Sequence, residues 1–91
     1  MFDWHMTCRM CSEQYDIYYK GKLFAYFRIR YGKIYVHLYH YDENEQKYSI
    51  DWNEHVYFYQ YEDNMKGWLD PEEMSEHKAK IEKILENYVR I

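Results

Sequence analysis

The feature that most restricts the fold is a series of β-rich runs separated by gaps too short for a crossover. Residues 13–20 (EQYDIYYK) are followed by Gly21-Lys22, and residues 23–31 (LFAYFRIRY) by Gly32-Lys33. Residues 34–41 (IYVHLYHY) lead into the polar turn 42–46 (DENEQ), then into 47–52 (KYSIDW) and 55–61 (HVYFYQY), with only Asn53-Glu54 between these last two. Tyr, Ile, Val and Phe suit a pleated surface. Two-residue gaps containing Gly between such runs are hairpin signals. A parallel neighbour needs a crossover of about a dozen residues, so these connections demand antiparallel pairing.

The pattern changes after residue 69. Asp70 suits an N-cap, Pro71 the first helical position, and Glu72 and Glu73 the first turn. Met74, Ile81, Ile84, Leu85, Tyr88 and Ile91 then recur at helical spacing, with lysines and glutamates between them. The expected fold is α+β: a four- to five-stranded antiparallel meander packed against a single C-terminal helix. Its 91 residues make one domain, with the sheet over 14–61 and the helix over 70–91. Residues 1–13 fit a short helix, a coil or an extra edge strand.

Alternation sorts each strand into two faces. Leu23, Ala25, Phe27 and Ile29, then Ile34, Val36 and Leu38, are expected to meet the helix. By hydropathy Tyr48, Ile50, Trp52, Val56 and Phe58 join them. The other face then carries Phe24, Tyr26, Arg28 and Arg30, with Tyr35, His37, Tyr39 and Tyr41, and with His55, Tyr57, Tyr59 and Tyr61. One helix covers one face only, so the tyrosine face is wet, curled on itself, or covered by a partner.

Tyr and Arg combine large contact area with polar tips and are enriched at interface hot spots. Tyr26, Arg28, Arg30, Tyr35, His37, Tyr39, Tyr57 and Tyr59 are therefore the expected partner-binding set. Two alternatives use the same face: stacking of single-stranded nucleic acid on the aromatic rings, and a homodimer with the tyrosine face as interface. The net charge of −4 opposes non-specific phosphate binding. That charge is uneven: residues 14–41 sum to +4 and residues 42–76 to −9. Asp42, Glu43, Glu45, Glu62 and Asp63 are expected to form an acidic flank.

His5, Cys8 and Cys11 stand at three-residue spacing in HMTCRMC. They invite zinc, but a structural site takes four ligands, usually as two pairs, and only one CxxC is present. His40 or His55 would have to complete it. A thioredoxin-type role needs a βαβ setting, which this order of elements does not offer. The expectation is no cofactor and ordinary thiols. His37 and His40 fall on opposite strand faces, and His77 lies beside the helix stripe in a packing role. Asp51, Glu54 and His55 surround a turn with no nucleophile, and Ser49 has no base partner. The three glycines are isolated turn residues, not a phosphate loop. No enzyme is expected.

No apolar run approaches the ~18 residues of a membrane-spanning helix, and residues 1–11 lack the layout of a signal peptide, so a cytoplasmic protein is expected. Forty-one residues are Phe, Tyr, Met, Ile, Asn or Lys, against ten Gly, Ala, Arg or Pro, a bias of AT-rich coding. Small size, that bias and the lack of catalytic motifs suggest a phage or mobile-element accessory protein. The expected function is a non-enzymatic inhibitor that masks a partner, of the anti-CRISPR or anti-restriction kind, through the Tyr/Arg face and the acidic flank.

Overall fold

Both glycine-bearing gaps close as two-residue turns in the computed structural model, which describes residues 1–8 and 12–89. Lys20 and Gly21 both take positive φ (50° and 79°), as do Tyr31 and Gly32 (54° and 73°). Two successive positive-φ residues define the hairpin turn whose twist matches that of its strands. Each turn therefore sits one residue earlier than the sequence suggests, with Gly in second place. Around them run β2 (Gln14–Tyr19), β3 (Lys22–Arg30) and β4 (Lys33–Asp42), paired antiparallel.

The N-terminal segment is the edge strand among its three options: β1 (Phe2–Cys8) pairs antiparallel with β2. β5 (Lys47–Ile50) and β6 (Tyr57–Gln60) complete a six-stranded sheet, and α1 (Pro71–Leu85) packs on one side of it. The fold is thus an antiparallel sheet with one C-terminal helix. The Asp70 carboxylate accepts from Glu73 N at 2.8 Å, and the Glu73 carboxylate accepts from Asp70 N at 3.1 Å, a reciprocal cap that starts the helix. α1 ends at Leu85 instead of running to the C-terminus; residues 86–89 follow as turn, and Ile91 lies outside the described residues. No helix among the described residues is long and apolar enough to cross a membrane.

Ile17, Ala25, Phe27, Ile29, Ile34 and Val36 are fully buried from β2, β3 and β4, against Ile81 and Leu85 of α1 and Leu69 of the preceding loop. Full burial stabilises by about 1.5–3 kcal/mol per large apolar side chain, so the three central strands and the helix hold the fold. A bulge between Ile17 and Tyr18 shifts the β2–β3 register. It accompanies a correction at Phe24, which packs beside Phe2 and Tyr19 against the core instead of standing on the tyrosine face.

β5 and β6 depart most from expectation. They do not pair with each other. Both lie along the same edge of β4, β5 against Tyr39–Asp42 and β6 against Lys33–Val36. Three residues back along β4, from Tyr39 to Val36, correspond to seven forward, from Ile50 to Tyr57, so four residues loop out. An even excess preserves parity, and residues directly opposite share a face. Tyr41 stands opposite Tyr48, Tyr39 opposite Ile50 and Tyr35 opposite Phe58. Tyr57 and Tyr59 stand opposite Val36 and Ile34, on the helix side. Sorting these two strands by hydropathy therefore inverted them: Tyr48, Ile50, Trp52 and Phe58 belong to the tyrosine face, and Tyr57, Tyr59 and Tyr61 to the helix face. Val56 does pack against the core.

Candidate functional site

The face away from the helix carries a continuous aromatic strip. Phe58 lies 5.1 Å from Tyr35, measured between ring centroids, and Tyr35 lies 5.9 Å from His37 with nearly parallel planes. His37 meets Trp52 at 5.1 Å, Trp52 meets Tyr26 at 5.7 Å, and Tyr26 meets Tyr39 at 6.4 Å. Tyr48 extends the strip, 6.2 Å from Tyr39 and 5.1 Å from Tyr41. Register across β3, β4, β5 and β6 places most of these rings. The connection 51–56 places Trp52, because His37 Nδ1–H donates to the Glu54 carbonyl at 2.6 Å and ties the excursion to β4.

Polar anchors on β2 hold the strip from its side. Tyr39 Oη donates to Asp16 Oδ1 at 2.7 Å and Tyr26 Oη to Gln14 Oε1 at 2.8 Å. Burial pushes both phenols above their ordinary value, and at Tyr39 the bond to Asp16 adds to it. These tyrosines and the buried His37 are scaffold. The exposed surface comes from Trp52, 59% exposed, Phe58, 43% exposed, Tyr41 and Tyr48. Sequence reasoning missed Trp52, Phe58 and Tyr48. The only signal for them was the register of β5 and β6. A shallow cavity of about 460 Å³ opens between Arg28, Tyr35, His37 and Trp52.

Of the expected partner-binding set, the structure brings Tyr26, Arg28, Arg30, Tyr35, His37 and Tyr39 onto one face and removes Tyr57 and Tyr59 from it. Tyr57 and Tyr61 instead grip the helix. Tyr57 Oη lies 2.8 Å from Nδ1 of His77, and Tyr61 Oη lies 2.8 Å from Nε2. A neutral imidazole has one N–H and one lone pair, so one tyrosine donates and the other accepts. Burial, and then Lys80, hold His77 below its ordinary value, while burial followed by Glu73 pushes Tyr61 up to about 12.

The acidic residues do not form one flank. Asp42, Glu43 and Glu45 sit at the β4–β5 turn, whereas Glu62 and Asp63 follow β6 beside the β3–β4 turn. The length of β4 separates them, roughly 30 Å for ten extended residues. His5 stacks edge-on against Tyr18 on β1 and β2, and Cys8 ends β1 after a register irregularity. Cys11 lies outside the described residues. Among the described residues no three His, Cys, Asp or Glu side chains converge on a metal position.

A family model described as Sld5, GINS complex protein helical bundle domain, matches residues 5–88. No curated protein and no solved structure matches the chain. The family match overturns the expectation of a phage inhibitor of the anti-CRISPR or anti-restriction kind, which rested on size and coding bias and on no residue motif. The description names a helical bundle, while the described residues of this chain form six strands and one helix; its alternating Tyr, Ile and Val runs and paired two-residue turns account for that architecture. With the match spanning nearly the whole sequence, the chain belongs to the Sld5 family of GINS complex proteins.

Proposed function

We propose that the chain works without catalysis, as a protein-binding subunit of a GINS-type DNA-replication assembly, and that a neighbouring subunit seats on the aromatic sheet face. The observation that carries this reading is the aromatic strip itself. It is continuous across the sheet, uncovered by the helix, and exposes Trp52, Phe58, Tyr41 and Tyr48. Large contiguous apolar patches on soluble chains mark interaction sites, and Trp, Tyr and Arg dominate interface energetics. The strip's hydrogen-bonded rings suit that role, since side chains already held by Asp16, Gln14 and the Glu54 carbonyl lose little freedom on binding. The protein works in solution in this reading, in nucleus or cytoplasm.

The test is co-expression with the other subunits of a GINS-type complex, followed by size-exclusion chromatography. The wild type is expected to co-elute with a subunit. The Trp52→Ala/Phe58→Ala double variant is expected to lose affinity by about tenfold or more at a nearly unchanged melting temperature. Undiminished assembly by a folded double variant would remove the face from the interface.

A further inference from the structure

The aromatic strip has a charged end. Arg28 stands opposite Tyr35 and Arg30 directly opposite Lys33, all on the tyrosine face. Among the described residues no carboxylate lies within ion-pair distance of any of the three. Like charges directly across a strand pair are destabilising, so the Arg30–Lys33 juxtaposition is retained at a cost that an anion would relieve. Arg30 is only partly occupied: its guanidinium lies over the Tyr31 ring at 4.9 Å and donates to Tyr31 Oη at 3.3 Å. Three cations gathered on one patch of a chain with a net charge of −4 are a local feature, not an overflow of basic composition. Glu62 and Asp63 also follow β6 at this end, but Asp63 Oδ1 is taken up by Met65 N at 2.9 Å.

Arg28, one of these cations, lines a cavity with Tyr35, His37 and Trp52. Its walls are two aromatic rings and an imidazole, with a guanidinium at the rim. That combination takes a bulky apolar side chain whose neighbours in sequence are carboxylates. We propose that the occupant of this end of the face is an acidic, extended segment of a partner protein. Its carboxylates pair with Arg28, Arg30 and Lys33, and one apolar side chain enters the cavity beside Trp52. This rests on the reading of the aromatic face as a protein interface.

The ring geometry favours a peptide over nucleic acid. Bases stack on open ring faces, whereas Trp52 meets Tyr26 at 90° and His37 at 70°, so these rings are engaged edge to face with one another. Carboxylate–guanidinium pairs need only the rim.

The probe is a capped peptide of about ten residues, rich in Glu and Asp with a central Phe, the length of an extended segment that spans such a sheet face. Its partners are the same peptide with Gln and Asn in place of the acids, and an oligothymidylate. Each is titrated into the isotope-labelled full chain and followed by amide chemical shifts. The acidic peptide is expected to shift Arg28, Tyr35 and Trp52, and to bind about tenfold more weakly in the Arg28→Glu/Arg30→Glu variant and at raised salt. Lys33→Gln, an exposed single change, serves as a second variant should the double variant fold poorly, and a smaller loss in the same direction is expected.

Equal binding of the neutral peptide at the same residues, with no effect of charge reversal, would overturn the acidic specificity and leave the interface reading standing. Shifts confined to other surfaces would overturn both. Tighter binding of the oligothymidylate at this patch would replace the acidic segment by nucleic acid.

Discussion

Residues 14–42 and residues 47–60 carry the same kind of alternating aromatic sequence, yet the first stretch obeys its own hydropathy apart from the bulge that turns Phe24 inward, and the second does not. In β2, β3 and β4, tight turns with two positive-φ residues fix the register, and the apolar parity goes to the core. In β5 and β6 the register is inherited from β4 across a loop-out, and the apolar parity goes outward while tyrosines go in. Alternation therefore reports two faces without saying which is which. Burial decides that only where enough strongly apolar residues share one face. Ile34 and Val36 had no competitor for the core, whereas Trp52 and Phe58 competed with tyrosines that had a histidine to bond.

The widest separation between the two regions is expected in stability. Phe27→Ala, in the fully buried core beside Trp4 and Tyr15, is expected to cost about 3–5 kcal/mol in urea denaturation. Phe58→Ala, on the open face, is expected to cost no more than about 1 kcal/mol. Similar losses at the two positions would mean that the β6 face assignment is wrong.

The two hairpin turns offer a second contrast. A Cβ at Gly32 would clash with the Asp63 carbonyl oxygen, because the loop after β6 crosses this turn, with Gly32 N donating to Lys66 O and Tyr61 N to Gly32 O. At Gly21 a Cβ meets nothing, and only the positive φ opposes it. Gly32→Ala is expected to destabilise by more than about 2 kcal/mol and Gly21→Ala by about 1 kcal/mol, read from paired thermal melts. Equal effects would show that the exit loop is not seated on the Gly32 turn.

The Tyr57–His77–Tyr61 clasp sharpens the comparison through pH. The folded value of His77 lies below its ordinary 6.5, so below that pH the unfolded chain takes up a proton that the folded chain resists. The clasp's contribution is present above pH 6.5 and is lost as pH falls through the lower folded value. Stability measured by urea from pH 7.5 downward is expected to decline more steeply for wild type than for His77→Gln. Tyr57→Phe is expected to cost about 1 kcal/mol at neutral pH; no loss there would argue that the hydroxyl faces solvent.

The smallest effect belongs to the β4–β5 turn. Lys47 pairs with Glu45 at 3.7 Å with both side chains more than half exposed. Lys47→Ala is expected to move the unfolding midpoint by no more than about 0.5 kcal/mol. A larger loss would give the acidic turn a structural role that its exposure does not suggest.

Much of the architecture was legible because it rests on local rules. Gly21 and Gly32 mark turns, Asp70-Pro71 with Glu73 marks a helix start, and runs of Tyr, Ile and Val mark strands, each within a few residues. The interaction face was only half legible. Tyr26, Arg28, Tyr35 and Tyr39 follow from alternation in well-anchored strands, but Trp52 and Phe58 do not, and Tyr57 and Tyr59 were assigned to the wrong side. The acidic flank failed for a related reason: charge summed along the chain ignores that its two halves sit at opposite ends of β4.

By itself the sequence determined that β-rich runs from residue 14 onward are joined by turns at Gly21 and Gly32, how the helix begins and that one face would be aromatic. These depend on backbone preferences and short-range hydrogen bonds. Only the tertiary structure decided that Tyr57 and Tyr61 clasp His77 and that Phe58 joins Tyr35 on the aromatic face. Those follow from how many residues loop out between β5 and β6, a count set by pairing with a third strand. With a side-chain period of two, one residue more or fewer there would have turned every β6 ring to the other side.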